Sequence, residues 1–190
     1  MKILILHGSP RKQGVTSHIL DYFLTQLENR HEVENLHIHN QEIKPCIGCL
    51  KCRPDKTCVL PHDAAHDIAK KIDDTDLLII GFPTYWGNMP GPLKTLFDRC
   101  VPTFEYIDGM TIRKNQKGTQ AILVTASSAP FPFNQLPSQS RGAIRSVKNI
   151  LTAGGVKIIK IINVANAAKF DDKKEKIFTR TIKFINKKNI

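Results

Sequence analysis

Apolar residues in this chain fall into short runs that alternate with amphipathic stretches, and that alternation points to a class of fold before any motif is read. Residues 2–7 are apolar at nearly every position, the pattern of a strand covered on both faces of a parallel sheet. Residues 16–30 carry Ile19, Leu20, Phe23, Leu24 and Leu27 at helical spacing. Residues 33–39 set Val33, Leu36 and Ile38 against polar neighbours, which predicts a more peripheral second strand. A long connection over 40–62 leads to a short helix over 62–73 with Ala65, Ile68, Ala69 and Ile72 inward. Residues 76–82 form the most apolar strand of the chain and so belong at the centre of the sheet. Beyond a Pro- and Gly-rich loop, a helix begins near Gly91 with Pro92 in its first turn and Leu93, Leu96 and Phe97 inward. A strand over 119–125, a helix over 138–152 stopped by Gly154 and Gly155, and a strand over 156–164 follow. The last helix spans 171–187, with Asp171 and Asp172 at its positive end.

Strand and helix alternate throughout, so the expected architecture is a single α/β domain over residues 1–190, a parallel sheet with helices on both faces. In open sheets of this kind ligands bind beyond the carboxyl ends of the strands. That rule gathers three loops into one site: 8–17, 83–91 and 125–134.

The first loop joins a strand to a helix through Gly8, Ser9, Arg11, Lys12, Gly14, Thr16 and Ser17. The first amides of a helix have no internal partner and the helix dipole adds positive charge, so an anion fits there. An ordinary strand-to-helix turn with Thr16 as N-cap meets the same residues without a ligand. Two other phosphate loops are excluded by spacing. Val15 stands where a triphosphate loop needs Lys, and Pro10 stands where a dinucleotide loop needs its second Gly. What remains is a monophosphate cradle built from hydroxyls. The second loop offers Tyr85 and Trp86 beside Gly87, Asn88 and Met89, an aromatic wall with backbone polar groups suited to a planar heterocycle. A phosphate at one end and a flat ring at the other describe a mononucleotide such as FMN.

Composition changes this picture little. The chain of 190 residues has a net charge of +11, concentrated late: residues 141–190 hold 13 Lys/Arg against 3 Asp/Glu. Without interleaved aromatics this reads as the solvated faces of two helices, so no nucleic-acid partner is expected. The apolar runs are strand-sized and the N-terminus lacks a leader pattern, so no membrane span and a cytoplasmic location are expected. His7, at the end of the first strand, reads as a hydrogen-bonded core residue, and Lys94 and Arg99 read as structural or surface residues.

Four of five cysteines lie between positions 46 and 58, unlike a secreted disulfide framework. Cys46, Cys49, Cys52 and Cys58 are spaced so that their sulfurs can converge on a [4Fe–4S] cluster or a zinc ion; reduced or redox-active thiols fit the same spacing. Cys100 reads as a buried apolar residue.

The sequence Gly8-Ser9-Pro10-Arg11-Lys12-x-Gly14-x-Thr16-Ser17, the segment Cys46-x-Gly48-Cys49, and Pro83-Thr84-Tyr85-Trp86-x-Asn88-Met89-Pro90-Gly91-x-x-Lys94 with Asp98-Arg99 resemble the NADPH-dependent FMN reductase family of flavodoxin-like proteins. The cysteine spacing is similar to that of iron–sulfur flavoproteins in the same superfamily. The resemblance implies a flavodoxin-like three-layer sandwich with a five-stranded sheet in the order 2-1-3-4-5 and non-covalent FMN. It implies an NAD(P)H-dependent oxidoreductase that takes a hydride onto flavin and passes electrons to a small-molecule or protein acceptor. A non-enzymatic flavodoxin-type or iron–sulfur electron carrier is the alternative. It also implies a homodimer or homotetramer. It places the phosphate on Ser9, Arg11, Thr16 and Ser17, and the ring against Pro83, Thr84, Tyr85, Trp86, Gly87, Asn88 and Met89. Thr125, Ser127 and Ser128 flank the ribityl chain or ring, and Ala129-Pro130-Phe131-Pro132-Phe133 is bulkier than the turn expected there. The flavin supplies the chemistry, and no catalytic side chain is assigned.

Overall fold

A computed structural model describes residues 1–116, 118–170 and 175–187. The chain runs β1 (Lys2–His7), α1 (Val15–Leu27), β2 (Glu32–His37), α2 (Cys52–Asp55), α3 (Ala64–Asp73), β3 (Leu77–Pro83), α4 (Gly91–Arg99) and α5 (Val101–Phe104). It continues through β4 (Glu105–Asp108), β5 (Thr111–Lys114), β6 (Gln120–Ala126), α6 (Ser140–Ala153), β7 (Lys157–Val164) and α7 (Glu175–Lys187). Asp171 and Asp172, expected at the start of the last helix, lie outside the described residues.

Five strands pair in parallel in the order β2-β1-β3-β6-β7. Counting only the strands of this sheet, that is the expected order 2-1-3-4-5, and the fold is the flavodoxin-like α/β sandwich. β1 and β3 are apolar throughout because both of their faces are covered. Leu4, Leu6, Leu78, Ile80 and Phe82 face Ile68 and Ile72 of α3, Leu93 and Phe97 of α4, and Val147 and Leu151 of α6. Ile3, Ile5, Leu77 and Ile79 face Ile19, Leu20, Phe23 and Leu27 of α1 and Phe178, Ile182 and Ile185 of α7. Edge strand β7 exposes Lys157 and Lys160, charges of the kind that keep an unpaired edge from recruiting another strand.

A hairpin and the short helices α2 and α5 are absent from the sequence-based expectation. β4 and β5 form an antiparallel hairpin closed by Gly109 and Met110, with Gly109 at φ +60°. It stands apart from the main sheet and exposes Met110 and Ile112. The helices otherwise begin and end within a few residues of expectation. Pro92 sits in the first turn of α4, and Gly155, at φ +90°, follows the end of α6.

Candidate functional site at the carboxyl ends of the strands

The loop after β1 is organised around the carbonyl of Arg11. That oxygen accepts from the Gly14 amide at 3.0 Å and from Ser17 Oγ at 2.8 Å. Ser9 Oγ in turn accepts the Arg11 amide at 3.2 Å. α1 therefore starts earlier than a Thr16 cap would allow: Gly14 is the N-cap, and no side chain caps the first amides of the helix. The first helical bond runs from His18 N–H to the Gly14 carbonyl at 2.9 Å, leaving the amides of Val15, Thr16 and Ser17 ahead of the helical ladder. No acidic residue occupies that turn, and Arg11 and Lys12 stand exposed beside it. Unspent donors, a helix N-terminus and two cations make a site for an anion.

The loop after β3 continues the sheet for one residue, Thr84 N–H donating to the Ala126 carbonyl at 3.1 Å. Thr84 Oγ1 lies 3.3 Å from Thr125 Oγ1, itself fully buried. The chain then reverses in a two-residue turn. Tyr85 and Asn88 exchange N–H···O bonds of 3.0 and 2.8 Å around Trp86 and Gly87, both at positive φ (52° and 70°). The shape is that of a turn that matches strand twist, and Gly87 is needed there twice over. A Cβ on Gly87 would stand 2.7 Å from the Pro137 carbonyl oxygen, so this turn packs directly on the segment leading into α6. Trp86 is exposed as fully as in an open chain (101%), and Met89 is buried in the core.

Beyond β6, Ser127 N–H donates to the Val164 carbonyl and the Ala167 amide donates to the Ser127 carbonyl, both at 3.0 Å. These bonds stitch residues 165–168 to the site. The three loops and that fourth segment enclose a cleft of about 880 Å³. Ser9, Arg11 and Thr16 line one end, Pro83, Thr84 and Tyr85 the wall, and Ser127, Ser128, Ala167 and Ala168 the far side. Of the residues singled out from sequence, Ser17 and Thr125 are buried beneath the lining, and Trp86, Gly87, Asn88 and Met89 belong to the adjoining turn rather than to the cleft wall. Ala167 and Ala168 had no signal in the sequence, since small residues after a strand look like any loop. Ser127 Oγ is buried in the cleft with no hydrogen-bond partner, an open valence for a ligand.

His7, next to this loop, is fully buried and stacks on His37 with ring centroids 4.1 Å apart. It is a core residue as expected; neither ring nitrogen has a partner within ordinary hydrogen-bond geometry, and the polar side chain that approaches it is that of Asn35. Burial, and then the His37 charge, push its pKa from 6.5 down to about 4; Asp21, 3.9 Å away, recovers part of the loss.

The cysteines occupy the connection between β2 and α3. Cys46 and Cys49 are exposed, Cys52 and Cys58 half-buried, and all are free thiols. The Gly48 amide donates to Cys46 Sγ at 3.4 Å. Burial pushes the Cys52 thiol up, and the charges of Cys58, Cys46 and Cys49 push it further, in that order. The four thiols thus lie in one segment, near enough for their charges to act on Cys52. Among the described residues no three Cys, His, Asp or Glu side chains stand ready to hold a metal ion, so the donor set has the right chemistry without a preformed cage. Cys100 is buried, and its thiol is pushed up to about 12 by that burial.

Lys94 pairs with Asp98 at the surface, as its spacing suggests. Arg99 instead is a buried structural cation, forked onto Asp63 through bonds of 2.7 and 3.1 Å. Burial works against its charge, yet the hydrogen bonds with Asp63 and Cys58 raise its pKa overall; Asp63, despite its own burial, is held low by Arg99 and by backbone donors.

Compared with known proteins, residues 1–156 match the family described as NADPH-dependent FMN reductase. An iron–sulfur flavoprotein of Archaeoglobus fulgidus is 37% identical over 103 residues, which make up 54% of this chain and 46% of that protein. The chain spans about half the length of the curated relatives it matches. Among solved structures, Smu.1420 from Streptococcus mutans superposes with a TM-score of 0.77 at 23% identity, covering 97% of this chain and 98% of that one. An FMN-dependent NADH-azoreductase from Bacillus anthracis, solved in complex with FMN, superposes with a TM-score of 0.75 at 12% identity over 98% and 99% of the two chains.

Proposed function

The chain belongs to the NADPH-dependent FMN reductase family, and from that premise we propose that it is an FMN-dependent oxidoreductase that takes a hydride from NAD(P)H and delivers electrons to a small-molecule or protein acceptor. The observation that carries this reading is the meeting, in one cleft of about 880 Å³, of an uncapped helix N-terminus and the unpartnered Ser127 hydroxyl. A cleft of this size suits a ligand of mononucleotide dimensions. Bound FMN supplies a ring that accepts hydride from a pyridine nucleotide and releases electrons one or two at a time.

The protein's share is to bind, orient and shield. Thr16 with the amides of Val15–Ser17 holds the phosphate, Arg11 adds charge from the rim, and Ser9 and Ser17 hold the loop in shape through Arg11. Pro83, Thr84 and Tyr85 form the wall for the ring, and Ser127 and Ser128 receive the ribityl chain. In the 85–88 turn, the amides of Tyr85 and Asn88 are spent on each other's carbonyls and that of Met89 on Asn88 Oδ1, so Trp86 and Gly87 supply the N–H groups for the ring edge. Trp86, Phe131 and Phe133, exposed on loops around the cleft, favour the homodimer or homotetramer implied by resemblance, in which apolar surface of this kind is covered.

The cysteine segment adds a second redox centre to the same scheme. The Cys46-x2-Cys49-x2-Cys52-x5-Cys58 spacing and the likeness to an iron–sulfur flavoprotein favour a [4Fe–4S] cluster on these thiolates.

Replacing Ser9 and Thr16 together with Ala is expected to weaken FMN binding roughly 70-fold, from loss of the Thr16 contact to the phosphate, worth about 1.5 kcal/mol, and of the Ser9 hydrogen bond that shapes the Arg11 turn, worth about 1 kcal/mol. Quenching of FMN fluorescence on titration with each protein measures it. An affinity within about twofold of the unsubstituted protein would move the phosphate elsewhere.

A further inference from the structure

Both ends of the cysteine segment are held by one buried ion pair. Arg99, at the end of α4, has a side chain with no exposed surface. Its Nη1 donates to the Lys44 carbonyl and to Asp63 Oδ2, both at 2.7 Å, and its Nη2 donates to Asp63 Oδ1 at 3.1 Å. The remaining arm, Nε, donates to Cys58 Sγ at 3.2 Å. Asp63 is the N-cap of α3, accepting the Ala65 amide at 3.1 Å, and it also accepts the Lys44 amide at 3.0 Å. His66, the other half of the capping box, meets the Cys58 carbonyl through Nε2 at 3.1 Å. Lys44 at the entrance and Cys58 at the exit are therefore fixed to the α3–α4 framework, while Cys46 and Cys49 between them stand exposed. A buried ion pair seldom improves stability over apolar packing of the same volume. This one reaches a sulfur, and that contact has a redox consequence.

We propose that Arg99 is a positioning residue for the redox centre of the cysteine segment, presetting Cys58 as its first ligand and raising its reduction potential through a charged N–H···S hydrogen bond. The proposal rests on the cluster reading above. A [4Fe–4S] centre gains one negative charge on one-electron reduction, and part of that charge resides on the ligand sulfurs. A cationic donor fixed against one of them stabilises the reduced form more than the oxidised form. The planar guanidinium is needed because it serves Asp63, the Lys44 carbonyl and Cys58 at once; a lysine ammonium in the same place keeps the charge but lacks the geometry of that fork.

The test is Arg99→Lys beside the unsubstituted protein, both loaded with FMN and reconstituted anaerobically with iron and sulfide. Iron, sulfide and FMN contents are measured, and both centres are followed in a dye-mediated potentiometric titration by visible and EPR spectra. The expected result is a cluster midpoint about 59 mV more negative in R99K, a tenfold change in a one-electron equilibrium, with FMN content and FMN midpoint unchanged. Equal cluster midpoints in the two proteins would overturn the role of Arg99 while leaving the cluster in place. An unsubstituted protein that takes up FMN but no iron or sulfide would overturn the cluster reading and this proposal with it. If R99K does not retain FMN, R99Q is read by the same two midpoints.

Discussion

Arg99→Leu is expected to destabilise the folded protein by about 3–5 kcal/mol, the cost of breaking a buried ion pair from one side. The leucine fills part of the volume but leaves Asp63, a carboxylate with only 9% of its side chain exposed, facing an apolar neighbour. Asp63 keeps the Ala65 and Lys44 amides, which limits the damage. The Lys44 carbonyl and Cys58 Sγ lose their donor altogether. Because the pair ties residues 44 and 58 to both α3 and α4, the loss is expected in the global unfolding transition, not only as local fraying. Denaturant titration of the two proteins followed by circular dichroism measures it, and a difference under about 1 kcal/mol would show that solvent reaches this pair after all.

The second large effect is a pH dependence from His7. Its folded-state pKa of about 4 lies below its ordinary 6.5, so between those values the unfolded chain binds the proton that the folded protein refuses. Stability therefore rises with pH through that window, is complete above pH 6.5, and is lost as pH falls toward 4. A shift of this size amounts to on the order of 3 kcal/mol. The groups facing His7 are His37 and Asn35 on β2 and Asp21 on α1; His37 adds to the loss, and Asp21 and then Asn35 reduce it. His7→Leu is expected to remove this part of the slope, so unfolding free energies of the two proteins, measured at pH 4 and pH 7, should diverge at the lower pH. Parallel pH profiles would mean that His7 is not held neutral by its surroundings.

Much of the fold was legible in the chain because its central strands are covered on both sides. A strand such as Leu77–Pro83 has to be apolar at every position, and the helices against it have to repeat their apolar residues at helical spacing. The hairpin Glu105–Lys114 was not anticipated because it contributes little to the core; its one signal was Asp108-Gly109 between alternating residues. Loop chemistry was legible in part. Gly14, Thr16 and Ser17 announced a helix start with hydroxyls, but only the structure shows that Gly14 is the cap and that Ser17 is spent on Arg11. Arg99 read as a structural or surface residue, and the sequence could not choose between the two, since what makes it structural is the approach of Asp63 and Cys58, 36 and 41 positions away. Ala167 and Ala168 were silent for the same reason: their part in the cleft comes from bonds between Ser127 and its neighbours in space.

The central claim is that the cleft between residues 9–16, 83–85 and 126–128 binds FMN for reduction by a pyridine nucleotide. The protein, loaded with FMN and freed of excess, is mixed without oxygen with NADPH and separately with NADH, and the flavin band near 450 nm is followed. Loss of that band with at least one of the two, and its return on admitting an acceptor, is the expected result. A flavin that binds in the cleft and stays oxidised in the presence of both nucleotides would contradict it.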